Sequence, residues 1–165
     1  MRTFKFLTLL LCLGLFTQAY ARNDAANNVA WRMPSPYNPA GIWITASGNA
    51  VVQIAPCGQD LCGQIVGLVL GPNEAMPTDW AGNPQCGLRI FHTAPPANGD
   101  PAWTGTILDP RDGSQYDARI TIDQPNQLQL RGYIGLPIFG RTQTWTPYNG
   151  AIPADCRLQA QSGSS

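Results

Sequence analysis

The 165 residues hold ten basic and ten acidic side chains, five cysteines and one histidine. With Lys5 its only lysine and no basic run, the chain lacks the phosphate-neutralising patch on which nucleic-acid binding rests. The same deficit disfavours an anionic membrane surface, and the length suits one domain of ordinary size.

The chain opens M-R-T-F-K-F-L-T-L-L-L-C-L-G-L-F-T-Q-A-Y-A. Arg2 and Lys5 form a short basic region, residues 6–16 an apolar one, and Ala19-Tyr20-Ala21 a small-x-small cleavage site. This is the pattern of a secretory signal peptide, residues 1–21, cut after Ala21. The apolar run is well short of the ~20 residues that a spanning helix needs. Leu11 before Cys12 is too large for a lipoprotein cleavage site. The mature chain is then left with eight basic and ten acidic groups and a formal charge of −2. It has no transmembrane segment, and a periplasmic or secreted monomer is expected.

Residues 22–39 carry three prolines and no hydrophobic period, and read as an N-terminal arm. Residues 40–148 read as the folded domain. Residues 149–165 read as a C-terminal extension with a disordered tail, Q-A-Q-S-G-S-S.

Within the domain, short β-rich runs alternate with turn residues, and no amphipathic helix is evident. The predicted strands are 41–46, 50–57, 61–70, 87–93, 102–109, 115–123, 127–135 and 138–146. S-G-N (47–49), G-Q-D (58–60), P-R-D-G-S (110–114) and Q-P-N (124–126) are hairpin connections. Eight consecutive antiparallel strands close on themselves and so lose both exposed edges. The expected fold is all-β, an eight-stranded antiparallel up-and-down barrel. Alternation sets the faces. Tyr116, Ala118, Ile120 and Ile122 share one side, as do Leu128, Leu130 and Ile134. In a hairpin of 50–57 with 61–70, Val52, Ile54, Ile65 and Val69 point inward with Gly63 and Gly67, and Gln53 and Gln64 outward.

Four cysteines follow the leader: Cys57, Cys62, Cys86 and Cys156. An even count in an exported chain favours disulfides. A zinc site would want a second C-x-x-C pair or several histidines. A thioredoxin-type pair has two intervening residues, not four, and starts a helix. The hairpin places Cys57 and Cys62 opposite each other at its end, close enough to bond. By elimination Cys86 pairs with Cys156.

Four motifs, taken together, carry a resemblance. They are G-I-W (41–43), A-P-C-G-Q-D-L-C-G-Q-I (55–65), I-L-D-P-R-D-G-S-Q-Y (107–116) and F-G-R-T-Q-T-W-T (139–146). From about Gly41 to Thr146 the chain resembles the bacterial exported domains grouped as DUF2147, a domain of unknown function. The resemblance implies a lipocalin-like (calycin) barrel with no established activity. Leu108 stands where the family usually has tyrosine before Asp-Pro, and the segment between the third and fourth strands is shorter than in relatives. Calycins further imply a barrel-closing pair, a first-strand tryptophan stacked by a last-strand arginine. Trp43 and Arg141 fit those places.

Catalytic chemistry finds little support. His92 lies on the strand face opposite Phe91, as an exposed or hydrogen-bonded histidine does, and no G-x-S-x-G elbow is present. Asp109, Asp112 and Asp117 lack the alternate-position carboxylates of a calcium loop, and read as turn residues. No catalytic residue, metal or cofactor is expected. Aromatic side chains give the binding signal, because apolar pockets are lined by them. Tyr116, Phe139, Trp145 and Trp103 are the candidate ligand-binding residues. The reading is a barrel that binds a small apolar or amphipathic molecule in or at its mouth. The alternative is a cell-envelope interaction or structural module with a filled interior.

Overall fold

A computed structural model describes residues 38–159. The expected leader, most of the expected N-terminal arm and the last six residues lie outside the described residues. Nine strands follow in chain order: β1 (Gly41–Ile44), β2 (Ala50–Cys57), β3 (Asp60–Leu70), β4 (Arg89–Ala94), β5 (Trp103–Leu108), β6 (Gln115–Gln124), β7 (Gln127–Tyr133), β8 (Arg141–Pro147) and β9 (Arg157–Gln159). One 3-10 turn, Pro137–Phe139, precedes β8. No helix among the described residues is long and apolar enough to cross a membrane.

The first eight strands form an antiparallel meander closed by β1 against β8. The turns that build it have local causes. Gly58 takes φ 79° as first residue of the two-residue β2–β3 turn, a conformation that costs glycine nothing. At β6–β7, Pro125 presets one backbone angle and Asn126 adopts φ 65°.

Up-and-down order gathers the connections into two groups. The β1–β2, β3–β4, β5–β6 and β7–β8 loops surround one end, the open end below. The β2–β3, β4–β5 and β6–β7 turns lie at the other. At the closed end Arg119 donates two hydrogen bonds to Asp100, 2.6 and 3.0 Å, tying the β4–β5 loop to β6.

Two bulges decide which side chains enter the barrel. Val52 pairs with Ile65 but Val51 with Gly67, so β3 carries one extra residue there. A one-residue slip turns every following side chain to the other face. Beyond the bulge Leu68 faces inward, and Gly67 and Val69 face outward, reversing the expectation from simple alternation. A second shift, between Gly63 and Gln64, inserts Ile90 into β4. Ile90 and Phe91 are therefore both buried.

The described part of the C-terminal extension, as far as Gln159, forms a strap. It returns outside the barrel and pairs β9 in parallel with Leu68–Leu70, on the part of β3 that β4 leaves unpaired. Leu158 then covers Val51 and the backbone of Gly67; a Cβ on Gly67 would lie 2.6 Å from Leu158 Cδ1. The outward-facing Val51 is completely buried for this reason.

Both disulfides join the expected partners. Cys57 and Cys62 have Cα atoms 5.8 Å apart, and Cys86 and Cys156 5.9 Å. The first differs in register from the expectation: Cys57 opposes Asp60 and Cys62 opposes Ala55, so the bond runs diagonally across the hairpin. The second holds the strap to the β3–β4 loop across a separation of 70 residues. In the chain-entropy model the long loop contributes about 4 kcal/mol and the five-residue separation about 2 kcal/mol. The double variant Cys86→Ser/Cys156→Ser should lose roughly twice the urea-unfolding free energy lost by Cys57→Ser/Cys62→Ser. Equal losses would contradict this account of the strap.

Candidate functional site

Strand register places the inward-facing side chains at two levels. Toward the closed end, Ile54, Leu61, Phe91, Thr93, Trp103, Ile120, Ile122, Leu128 and Trp145 are all buried. Phe91 and Trp145 meet at 6.5 Å between ring centroids, tilted by 47°. Gly63 makes this possible, because any Cβ there would collide with the Phe91 ring. Large rings, with Phe91 seated over Gly63, fill this half of the barrel.

Toward the open end the inward residues are too small or too short to meet. A cavity of about 810 Å³ remains, walled by Val52, Ile65, Leu68, Ile90, Ile107 and Leu130. Gly132 belongs to the same wall, and a Cβ added there would meet only Ile107 Cγ2, at 3.8 Å. The volume lies within the roughly 300–1,000 Å³ of small-molecule sites, and barrel mouths are a usual place for them. A smaller space of about 420 Å³ lies outside the barrel, beside Ile44, Val69, Tyr148 and Leu158, where the strap crosses it.

Polar groups gather at the rim. Tyr116, Gln143 and Arg141 face inward from β6 and β8, and Asp109 and Arg111 come from the β5–β6 turn. Arg111 Nε donates to Asp109 Oδ1 at 3.0 Å, and the Arg111 backbone N–H donates to the same oxygen at 2.9 Å. The guanidinium hydrogen bond holds the Asp109 carboxyl below its usual range despite a contribution from burial in the other direction. Asp109 is therefore ionised at neutral pH and offsets the charge of Arg111.

The β7–β8 loop forms an apolar lip. Ile134, Leu136, Ile138 and Phe139 are 73, 62, 76 and 78% exposed. Arg131 fixes their presentation from the outer face: Nε donates to the Pro137 carbonyl at 2.7 Å, and Nη1 to Thr142 Oγ1 at 2.7 Å. A loop held this way keeps its apolar side chains in water because its backbone bonds offset the exposure.

The structure divides the four candidate aromatics. Tyr116 and Phe139 line the cavity. Trp103 and Trp145 do not; they are only 7 and 2% exposed and belong to the packed floor. Trp145 faces inward from β8 opposite Leu128, but its height along the strand makes it core. Ile134 is an exposed lip residue and not a member of the Leu128–Leu130 core face.

The Trp43–Arg141 pair is not formed. Trp43 opposes Pro147 on β8, whereas Arg141 opposes Gly132 at the strand's other end. Six residues of strand separate Pro147 from Arg141, roughly 20 Å at strand rise, which exceeds the reach of the two side chains. Trp43 instead donates Nε1–H to the Pro39 carbonyl at 2.9 Å.

His92 stands on the outer face as expected, its Nε2 2.8 Å from Asp60 Oδ2. It lies beside the Cys57–Cys62 disulfide, whose sulfurs are bonded to each other. Asp109 and Asp112 accept backbone N–H bonds within their turn, from Arg111 and Ser114, and Asp117 faces outward from β6. Val52, Ile65 and Leu130 are legible from sequence as apolar-face residues, whereas Leu68, Ile90, Ile107, Gly132 and Gln143 are missed. Only the two-residue period with the bulges placed would have found them.

A closed up-and-down barrel, filled at one end and hollow at the other, is the class of protein that this geometry defines. The chain belongs to the family described as an uncharacterized protein conserved in bacteria, DUF2147, whose model matches residues 41–147. No curated protein and no solved structure gives a significant match.

Truncating a floor residue should damage stability more than the cavity. Trp145→Ala should cost about 3–5 kcal/mol in denaturant unfolding, the usual range for a buried tryptophan. A loss under 1 kcal/mol would place Trp145 outside the core.

Proposed function

We propose that the protein is an exported, non-catalytic binding barrel that takes a small apolar or amphipathic molecule into its open half. One observation carries this reading, the 810 Å³ apolar-walled cavity that opens among the loops. A wall containing Gly132 gives up packing that a larger residue would supply, which is reasonable where space is wanted. The apolar lip on the rim offers an entering molecule continuous contact from solvent to wall. Export is proposed from the leader-type segment at 1–21 and from two disulfides, which persist in oxidising compartments. The filled floor favours the envelope-module alternative for the closed half alone.

N-phenyl-1-naphthylamine, a neutral apolar fluorophore, tests the reading. The native protein should bind it with enhanced, saturable fluorescence. Gly132→Leu should reduce binding at least tenfold, because a Cβ there meets only Ile107 Cγ2 and the longer side chain would occupy the cavity. Circular dichroism and the unfolding midpoint should stay close to those of the parent. Unchanged binding by a folded Gly132→Leu variant would reject the cavity as the site.

A further inference from the structure

We propose that the molecule held in the mouth is an anionic amphiphile, its acidic head bound by Arg141 and Gln143 and its tail laid between Ile65, Ile107 and Leu130. The inference rests on the binding role above and adds the charge of the head. Its first basis is direction. Arg141 pairs with Gly132 in step with Gln143 and Leu130, and Trp145 and Leu128, so all these side chains turn into the barrel. Arg141 and Gln143 both line the cavity. Gly132, opposite Arg141, leaves the space in front of the guanidinium free of a side chain.

The second basis is the state of the other charges. Arg111 is held by Asp109 and Arg119 by Asp100, while Arg131 and Arg157 donate to backbone carbonyls. Arg89 lies opposite the outward-facing Gln64 in the strand register and so is turned away from the cavity. Among the described residues Arg141 is the cation that faces the cavity without a side-chain partner. Asp109 is the carboxylate lining the cavity, and Arg111 already offsets it. The mouth therefore carries one uncompensated positive charge beside an apolar wall.

The third basis is Gln143. Trp145 Nε1–H donates to Gln143 Oε1 at 3.1 Å. Indole nitrogen only donates, so the amide oxygen must face the tryptophan, which leaves the NH2 group of this cavity-lining residue free to donate to a ligand. Gln143 thus keeps two further donors for a head held by Arg141, two residues along the same strand. A guanidinium and an amide NH2 together suit a carboxylate or a phosphate monoester, and charge-assisted bonds of this kind are the stronger sort.

The experiment is displacement of N-phenyl-1-naphthylamine by ligands sharing one chain: dodecanoate, dodecyl phosphate, dodecan-1-ol and dodecylammonium, each below its micellar concentration. At least one anion should bind about tenfold more tightly than the alcohol, and the ammonium ion more weakly than either. The two anions distinguish a carboxylate from a phosphate head. Arg141→Gln should bring the anions to the level of the alcohol, and Arg141→Lys should keep the order. Equal affinity for all heads in the parent protein would overturn the inference and leave the cavity reading standing. So would an equal loss for every ligand in Arg141→Gln, or fluorophore binding that no dodecyl ligand displaces. Failure of the fluorophore itself to bind would overturn both.

Discussion

Closure of the meander through β1 and β8 is the constraint on which the rest depends. The seam is short, with Trp43 opposite Pro147 and Ile44 opposite Thr146, and the Tyr148 N–H extends it by donating to the Ile42 carbonyl at 2.8 Å. Trp43 anchors the seam from within, buried and bonded to Pro39. Once the ring closes, every strand has two neighbours and the interior acquires a fixed width. Whether that interior is core or cavity then depends only on the size of the side chains at each height. Here the two ends receive opposite answers.

At the closed end glycines admit close neighbours: the Phe91 ring over Gly63, and the β4 backbone against Gly105, where any Cβ would strike the His92 carbonyl. The Phe91 ring reaches Trp145 because its neighbour on β3 has no side chain. At the open end aliphatic residues and Gly132 face one another, and none spans the gap. The floor thus supplies the apolar burial that stabilises the ring, while the mouth can do without it. The strap adds a second, external layer. Leu158 on Val51 and the Cys86–Cys156 bond stabilise the side of β3 that its bulge and the short β4 leave unpaired.

Much of this architecture was legible in the sequence. Period-two alternation with hairpin turns marked eight strands and their order, and the cysteine count with the short Cys57–Cys62 spacing marked both disulfides. What was not legible depended on position along the barrel axis. The residues 65–67 look like any alternating run, yet one extra residue sends Leu68 in and Val69 out. The aromatics were identified by type, and type does not distinguish Trp145 in the floor from Tyr116 at the mouth. The Trp43–Arg141 pairing came from family resemblance, and failed because six residues of β8 separate Arg141 from the residue beside Trp43. Gln143 carried no sequence signal, because its role depends on the tryptophan two residues on.

The central claim is that small molecules enter the loop end of the ring and stop at an aromatic floor. Methyl-resolved NMR during titration with a neutral apolar ligand tests it most directly. The account predicts shifts and intermolecular contacts at Val52, Ile65, Leu68, Ile107 and Leu130, with the methyls of Ile54, Leu61, Ile122 and Leu128 unmoved. Contacts confined to the exposed Ile134, Leu136 and Ile138, or reaching the floor residues, would contradict it.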